Sequence, residues 1–242
     1  MKIKQLGNGG GFDFSKTNSS FLISDDSEKE YMLVDCGYNV MQRLTSDDSI
    51  DIGKISTVII THMDEDHIGN LKMFIYYRYF ILKKTTHVVA GNQIRSSETE
   101  KNLKNYLNEL NTELIGGIPS DCDMFYLYQP EKSNFRIDFL KVFHGGVSSY
   151  GVFIEEKESG EKIFISGDTK ANAKIEEYIR KKCFNGDLDN FKYIFHDYSN
   201  WDNVTRNVHA CKTDWELEYS EEFRQKAIKY HNNEDYEKEW RE

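Results

Sequence analysis

Two imidazoles and two carboxylates are crowded into the short run Thr61-His62-Met63-Asp64-Glu65-Asp66-His67. The run directly follows the apolar, β-branched segment Ile55 to Ile60, so the chain leaves a buried strand and at once places ionisable groups in a loop, where functional side chains are usually mounted. A buried strand end has no structural need for four such groups, and each is costly to desolvate unless something compensates it. A divalent metal ion would compensate all four. Imidazole and carboxylate together suit zinc, and manganese gains ground as the carboxylate share rises.

The elements that must position this loop can be read from local pattern. Ile3 to Leu6, Ser19 to Ser24 and Tyr31 to Asp35 have the composition of short strands separated by Gly-rich and Asp-rich turns, an antiparallel start to a sheet. Ile55 to Ile60 suits a strand buried on both faces. Helical spacing of Ile68, Leu71, Phe74, Ile75 and Tyr79 predicts a helix over His67 to Lys83, followed by a strand at His87 to Ala90 and a polar helix around Glu98 to Leu110. A second β-rich half follows at Met124 to Tyr128, Phe135 to Phe143, Gly151 to Glu156 and Lys162 to Ser166. It continues with a helix at Ala171 to Cys183, a strand at Tyr193 to His196 and a charged helix from Trp215 toward the C-terminus. Two β-rich halves with helices imply an α/β (α+β) protein with four layers, two sheets packed together and helices outside. The expected organisation is a single domain over 1–242 with a charged helical tail at about 214–242.

The spacing of His62, Asp64, Asp66 and His67 resembles the H-x-H-x-D-H signature of the metallo-β-lactamase superfamily, with Asp64 where a second His is usual. Further motifs resemble that family in order along the chain. Val34-Asp35-Cys36-Gly37 is similar to its first motif, an Asp supporting the metal loop; Phe143-His144-Gly145-Gly146 to its third; and Ile165-Ser166-Gly167-Asp168-Thr169 to its fourth, whose carboxylate bridges two metals. His209 is taken for the fifth. The resemblance implies the αββα metallo-β-lactamase fold and two divalent metal ions. His62, Asp64 and His144 would hold one ion and Asp66, His67 and His209 the other, with Asp168 shared. Two such cations can acidify a water, polarise the bond under attack and stabilise the leaving oxygen. With Asp64 in place of His, more of their charge is cancelled, which predicts a less acidic nucleophile and a shift from zinc toward harder metals such as manganese.

The opening Lys4-Gln5-Leu6-Gly7-Asn8-Gly9-Gly10-Gly11, with Thr17-Asn18-Ser19-Ser20-Phe21, resembles the ribonuclease Z branch of this superfamily. His196-Asp197-Tyr198-Ser199 is similar to the His-Glu-Ala-Thr motif of the same branch. That likeness implies a catalytic role for His196 as a general acid oriented by Asp197, beside Asp66, since a departing alkoxide needs a proton. His87 and His231 match no motif and read as structural or surface residues.

Composition narrows the substrate. Lys plus Arg number 31 against 41 Asp plus Glu, a net charge of −10, so the field repels polyanions and disfavours a long nucleic acid. Only a short helix and strand separate Asp168 from His196, where ribonuclease Z carries a basic arm. The compact length and the Gly-rich opening are similar to the anti-Pycsar phosphodiesterases of this branch, which implies a small 3′,5′-cyclic nucleotide as substrate. A lactone or thioester hydrolase of the same fold, and a nucleotide-binding protein weakened at Asp64, are the rival readings. The branch is commonly homodimeric, and the apolar run Phe74 to Phe80 is a candidate surface for that. No segment has the length and apolarity of a membrane span or signal peptide, so a cytoplasmic protein is expected. Cys36, Cys122, Cys183 and Cys211 form no C-x-x-C and are expected to be reduced, unpaired thiols.

Overall fold

The computed structural model describes residues 1–92, 94, 103–107, 124–126, 133–199 and 208–232. Two compact units divide the chain, one within Met1–Lys132 and the other within Ser133–Glu234. Each is built on one mixed sheet.

The first unit carries strands β1 (Lys2–Gly7), β2 (Ser20–Ser24), β3 (Tyr31–Val34), β4 (Ile55–Ile60), β5 (Thr86–Ala90) and β6 (Phe125–Tyr126), adjacent in sequence order. The first three pair antiparallel, and β3 through β6 pair parallel. The apolar runs of β2, β3 and β4 are buried on both faces, Leu22, Ile23, Leu33, Val58, Ile59 and Ile60 among them, as expected of strands in the middle of a mixed sheet. Helix α1 (Val40–Ser46) follows β3.

The single helix expected over His67 to Lys83 is instead α2 (Glu65–Ile68), α3 (Leu71–Tyr76) and a π-helical turn over Tyr77–Ile81. The break at Asn70 has a local cause. Its N–H donates to the Cys36 carbonyl and its side-chain oxygen accepts from the Met41 N–H, so this residue is bonded to the loop after β3 and not to the turn before it. Of the polar helix expected around Glu98 to Leu110, residues 103–107 are helical. The rest of it, Cys122 and the last two residues of the strand expected at Met124 to Tyr128 lie outside the described residues.

The second unit carries β7 (Phe135–His144), β8 (Val147–Glu156), β9 (Lys162–Ile165), β10 (Phe191–Asp197) and β11 (Ala227–Tyr230), in the spatial order β11-β10-β9-β8-β7. Strands β7, β8 and β9 pair antiparallel; β9, β10 and β11 pair parallel. The β7–β8 hairpin turns on Gly145-Gly146, with Gly145 at φ 57°, the positive angle that the first residue of a II′ turn needs. Helix α4 (Ala173–Lys181) starts at Asn172, whose side chain accepts from the Lys174 N–H, an N-cap of the usual kind.

The one charged helix expected from Trp215 onward is not formed as such. Helix α5 (Lys212–Glu218) ends at an extended Tyr219, and Ser220 caps α6 (Glu221–Lys226) through the Phe223 N–H. Ala227 then turns extended and the chain becomes β11, paired along β10. Trp215, Tyr219 and Phe223 form one apolar core with Ile194 and Phe164, so each short helix is held by packing more than by its own length. Residues 233–242 of the expected tail lie outside the described residues.

Strand direction decides where chemistry can be mounted. In the first sheet β1 runs with β3 and β4, so the Gly-rich loop, Asp35 and His62 all leave the C-terminal edge. In the second sheet β7 runs with β9, β10 and β11, so His144, Asp168, Asp197 and His231 lie at or just beyond C-terminal ends on one edge. The C-terminal edge of parallel strands is where α/β sheets place their sites. Among the described residues no helix is long and apolar enough to cross a membrane.

Candidate metal centre

In the first unit, Asp35 is the organising residue. It sits just past β3 at φ 59°, a left-handed conformation that Asp tolerates better than most residues and that marks functional positions. Its Oδ1 accepts from the Thr61 N–H at 2.8 Å and its Oδ2 from the Thr61 hydroxyl at 2.7 Å. The same Oδ2 lies 2.8 Å from His67 Nδ1. One carboxylate thus clamps both ends of the loop that the sequence singled out. With its proton given to Asp35, the Thr61 hydroxyl accepts from His62 Nδ1 at 3.0 Å.

Both imidazoles are thereby fixed through Nδ1, and each Nε2 faces a carboxylate of the same loop. His62 Nε2 is 3.6 Å from Asp64 Oδ2, and His67 Nε2 is 3.4 Å from Asp66 Oδ2. The two rings are 4.0 Å apart between centroids. Imidazole anchored through Nδ1 to a carboxylate or hydroxyl is the arrangement in which Nε2 binds a metal. The donor set fits a divalent cation: two nitrogens and two carboxylates, with His62 and His67 buried and Asp64 the most exposed of the four. Gly37 completes the loop's support, because a Cβ there would collide with the Asp66 carbonyl oxygen.

Cys36 lies inside this support. Its N–H donates to the His67 carbonyl at 2.7 Å, and full burial followed by the neighbouring Asp35 charge pushes its thiol well above the usual range. It is a buried packing residue, as are the surroundings of Cys211. Cys36, Cys183 and Cys211 are free thiols.

In the second unit, Asp168 stands among three histidines. Its Oδ2 is 4.0 Å from His144 Nε2, 3.7 Å from His209 Nδ1 and 3.5 Å from His231 Nε2. His144 is steadied by a long contact of Nδ1 with the Val208 carbonyl at 3.4 Å, and its ring meets that of His209 edge to face. Asp197, at the end of β10, ties the group together. Its Oδ2 accepts from the Thr169 N–H at 2.8 Å and lies 2.8 Å from His209 Nδ1, while its Oδ1 is 3.8 Å from His231 Nδ1. The rings of His209 and His231 stack at 5.0 Å. Asp197, His209 and His231 offer ligand atoms close enough together to hold an ion.

Two expectations change here. His196 is not oriented by the Asp197 carboxylate. Fully buried, it donates from Nδ1 to the Asp197 carbonyl at 2.7 Å and accepts at Nε2 from the Tyr219 hydroxyl at 2.6 Å. Tyr219 in turn accepts from the Asn172 N–H, and the ring packs against Trp215 and Phe223. Both nitrogens are committed to the neutral form, and burial holds its pKa down to about 4 despite the opposing pull of Asp197. The carboxylate goes to His209 instead.

The second change concerns His231. Set aside by sequence reasoning, it is buried at φ 62° directly after β11, beside Asp168. Its signal was present: Ala227-Ile228-Lys229-Tyr230-His231 ends a short strand pattern on a histidine, as Ile59-Ile60-Thr61-His62 does. The expected helix over that stretch concealed it. His87, the other histidine set aside, packs its ring near Tyr126 on the neighbouring strand and stays outside both clusters.

With this geometry in view, comparison with known proteins is informative. A family model described as "Anti-Pycsar protein Apyc1" matches residues 1–242. The anti-Pycsar protein Apyc1 of Bacillus phage BSP38 is 26% identical, over 86% of this chain and 80% of that protein. Among solved structures, the metallo-β-lactamase fold protein YhfI from Bacillus subtilis is similar with a TM-score of 0.65 at 17% identity, over 96% of this chain and 86% of the other. Human tRNase Z, short form (ELAC1), is similar with a TM-score of 0.67 at 15% identity, over 96% and 93%. The chain has the metallo-β-lactamase fold.

Proposed function

We propose that this chain, which belongs to the anti-Pycsar protein Apyc1 family, is a metal-dependent phosphodiesterase that hydrolyses small 3′,5′-cyclic nucleotides and so disables a nucleotide defence signal. The observation that carries the reading is the His209–Asp197 pair, 2.8 Å between Nδ1 and Oδ2, set beside Asp168 and within ring contact of His144. The oxygen that departs from a phosphodiester leaves as an alkoxide, and an imidazole positioned beside the site can deliver the proton it needs.

In this reading each unit offers its own ligands, His62, Asp64, Asp66 and His67 in the first, and His144, Asp168 and His231 in the second. In this reading His231, whose Nε2 is 3.5 Å from Asp168 Oδ2, takes the ligand place first expected of His209, and His209 is assigned to proton delivery with Asp197. Two divalent ions held there would acidify the attacking water and neutralise charge on the phosphate oxygens. Asp35 keeps His62 and His67 in one tautomer, with each Nε2 as the ligand atom. Asp66 is assigned to accept the water's proton. His209, its ring fixed by Asp197, protonates the departing ribose oxygen.

The family and the small, acidic chain favour a cyclic mononucleotide over a long nucleic acid. The test is turnover of a panel of 3′,5′-cyclic mononucleotides with zinc and with manganese. Cleavage of a generic diester without turnover of any cyclic nucleotide would rule this substrate class out.

A further inference from the structure

We infer that the ring of Phe12 is the platform on which the base of the nucleotide substrate stacks, an assignment that rests on the cyclic-nucleotide reading above. The Gly-rich segment between β1 and β2 is a defined loop. Its neck is closed by the Gly9 N–H to the Thr17 carbonyl at 2.8 Å and the Ser19 N–H to the Gly9 carbonyl at 2.9 Å. At its tip the Asp13 N–H bonds the Gly10 carbonyl at 3.2 Å, which closes a four-residue turn with Phe12 in third place. The Asp13 carboxylate accepts from the Ser15 N–H and hydroxyl and so holds the returning arm.

The turn rests on the candidate centre. A Cβ on Gly11 would stand 3.2 to 3.3 Å from all three carboxyl atoms of Asp66, so any larger residue would press on that carboxyl group by a few tenths of an ångström. The Tyr38 hydroxyl donates to the Gly11 carbonyl at 2.9 Å and ties the turn to the segment after Asp35. Consecutive Cα atoms are about 3.8 Å apart, so the next residue, Phe12, stands within a nucleotide's reach of Asp66. Its side chain is 97% exposed. Phe14, on the same loop, has a ring partner in Tyr38 at 5.9 Å; the ring of Phe12 leaves its faces open to a ligand.

A single exposed aromatic needs no explanation in general. This one is carried by a turn whose preceding residue, Gly11, lies against the carboxyl group of Asp66. The net charge of −10 gives a nucleotide no long-range attraction, so affinity has to come from contact, and stacking on an aromatic ring provides it for every base. The denser aromatic run at Phe74 to Phe80 cannot serve equally: Phe74 is fully buried, and Tyr79 and Phe80 meet each other edge to face.

The test compares wild type, Phe12→Ala and Phe12→Trp on 3′,5′-cyclic AMP, 3′,5′-cyclic CMP and a base-free methyl riboside 3′,5′-cyclic phosphate. Phe12→Ala is expected to raise KM for both nucleotides about tenfold with kcat within about twofold, and to leave the base-free substrate unchanged. Phe12→Trp is expected to restore KM, and its added fluorescence is quenched by either nucleotide. An unchanged KM in Phe12→Ala, an equal loss on the base-free substrate, or a Phe12→Trp signal indifferent to nucleotide would overturn the platform. A fall in oligomer mass in Phe12→Ala with KM unaltered would identify the ring as a contact between copies instead. Failure of the substrate reading looks different: wild type would turn over no cyclic nucleotide at all.

Discussion

His209 Nδ1 and Asp197 Oδ2 lie 2.8 Å apart, although one belongs to a loop and the other to the end of β10. The same carboxylate oxygen accepts from the Thr169 N–H, next in sequence to Asp168. The imidazole proposed to deliver the proton is therefore tied through Asp197 to the backbone beside Asp168. Asp197→Asn and His209→Ala should each lower kcat on a cyclic nucleotide about 10²- to 10⁴-fold. Because the two act as one unit, the double variant should be little worse than either single one. Steady-state kinetics with metal content measured in parallel checks both statements.

Asp35→Ala should weaken metal binding about 10- to 100-fold, since the carboxylate orients His67 directly and His62 through Thr61. Competition with a chromogenic chelator reads this directly. Metal affinity equal to that of wild type would remove Asp35 from its supporting role.

His231→Ala and His209→Ala should part company in elemental analysis. If His231 is a ligand as proposed, the first is expected to lose about one ion per chain relative to wild type, while the second keeps the wild-type content. Loss of an ion from His209→Ala alone would return the ligand role to His209.

His196 makes a prediction about pH. Its folded pKa of about 4 lies below the ordinary 6.5, so the unfolded chain takes up the proton first. The stability it contributes is complete above pH 6.5, declines as pH falls toward 4 and declines no further below that, for a total of about 3 kcal/mol. Urea unfolding across this range should show the decline in wild type and a flatter profile in His196→Gln. That variant should also keep most of its activity; a folded, metal-loaded but inactive His196→Gln would make His196 the acid after all.

Replacing Asp64 by His tests the one departure from the superfamily pattern. Less carboxylate charge leaves more positive charge on the site, so zinc-supported turnover should rise in Asp64→His relative to turnover supported by manganese. Kinetics with each metal would show whether the ratio moves.

Local pattern carried far in this chain. Apolar runs such as Ile55 to Ile60 announce a buried strand, because two covered faces demand it, and the cluster from His62 to His67 announces a metal loop, because buried charges demand compensation. Helix boundaries were less legible. The break at Asn70 depends on bonds to Cys36 and Met41, far away in sequence. Strand β11 looks helical in its charged neighbourhood and extends because β10 offers it a ladder.

What the residues alone determined is the kind of chemistry: a set of His and Asp side chains at strand ends, in an order that only a metal site explains well. Where each histidine stands was decided by tertiary structure. His196 and Asp197 are neighbours in sequence, yet strand alternation sends their side chains to opposite faces, one into the aromatic core with Trp215 and the other to the edge with His209. His231 resembles a tail residue until β11 pairs with β10 and brings it to Asp168.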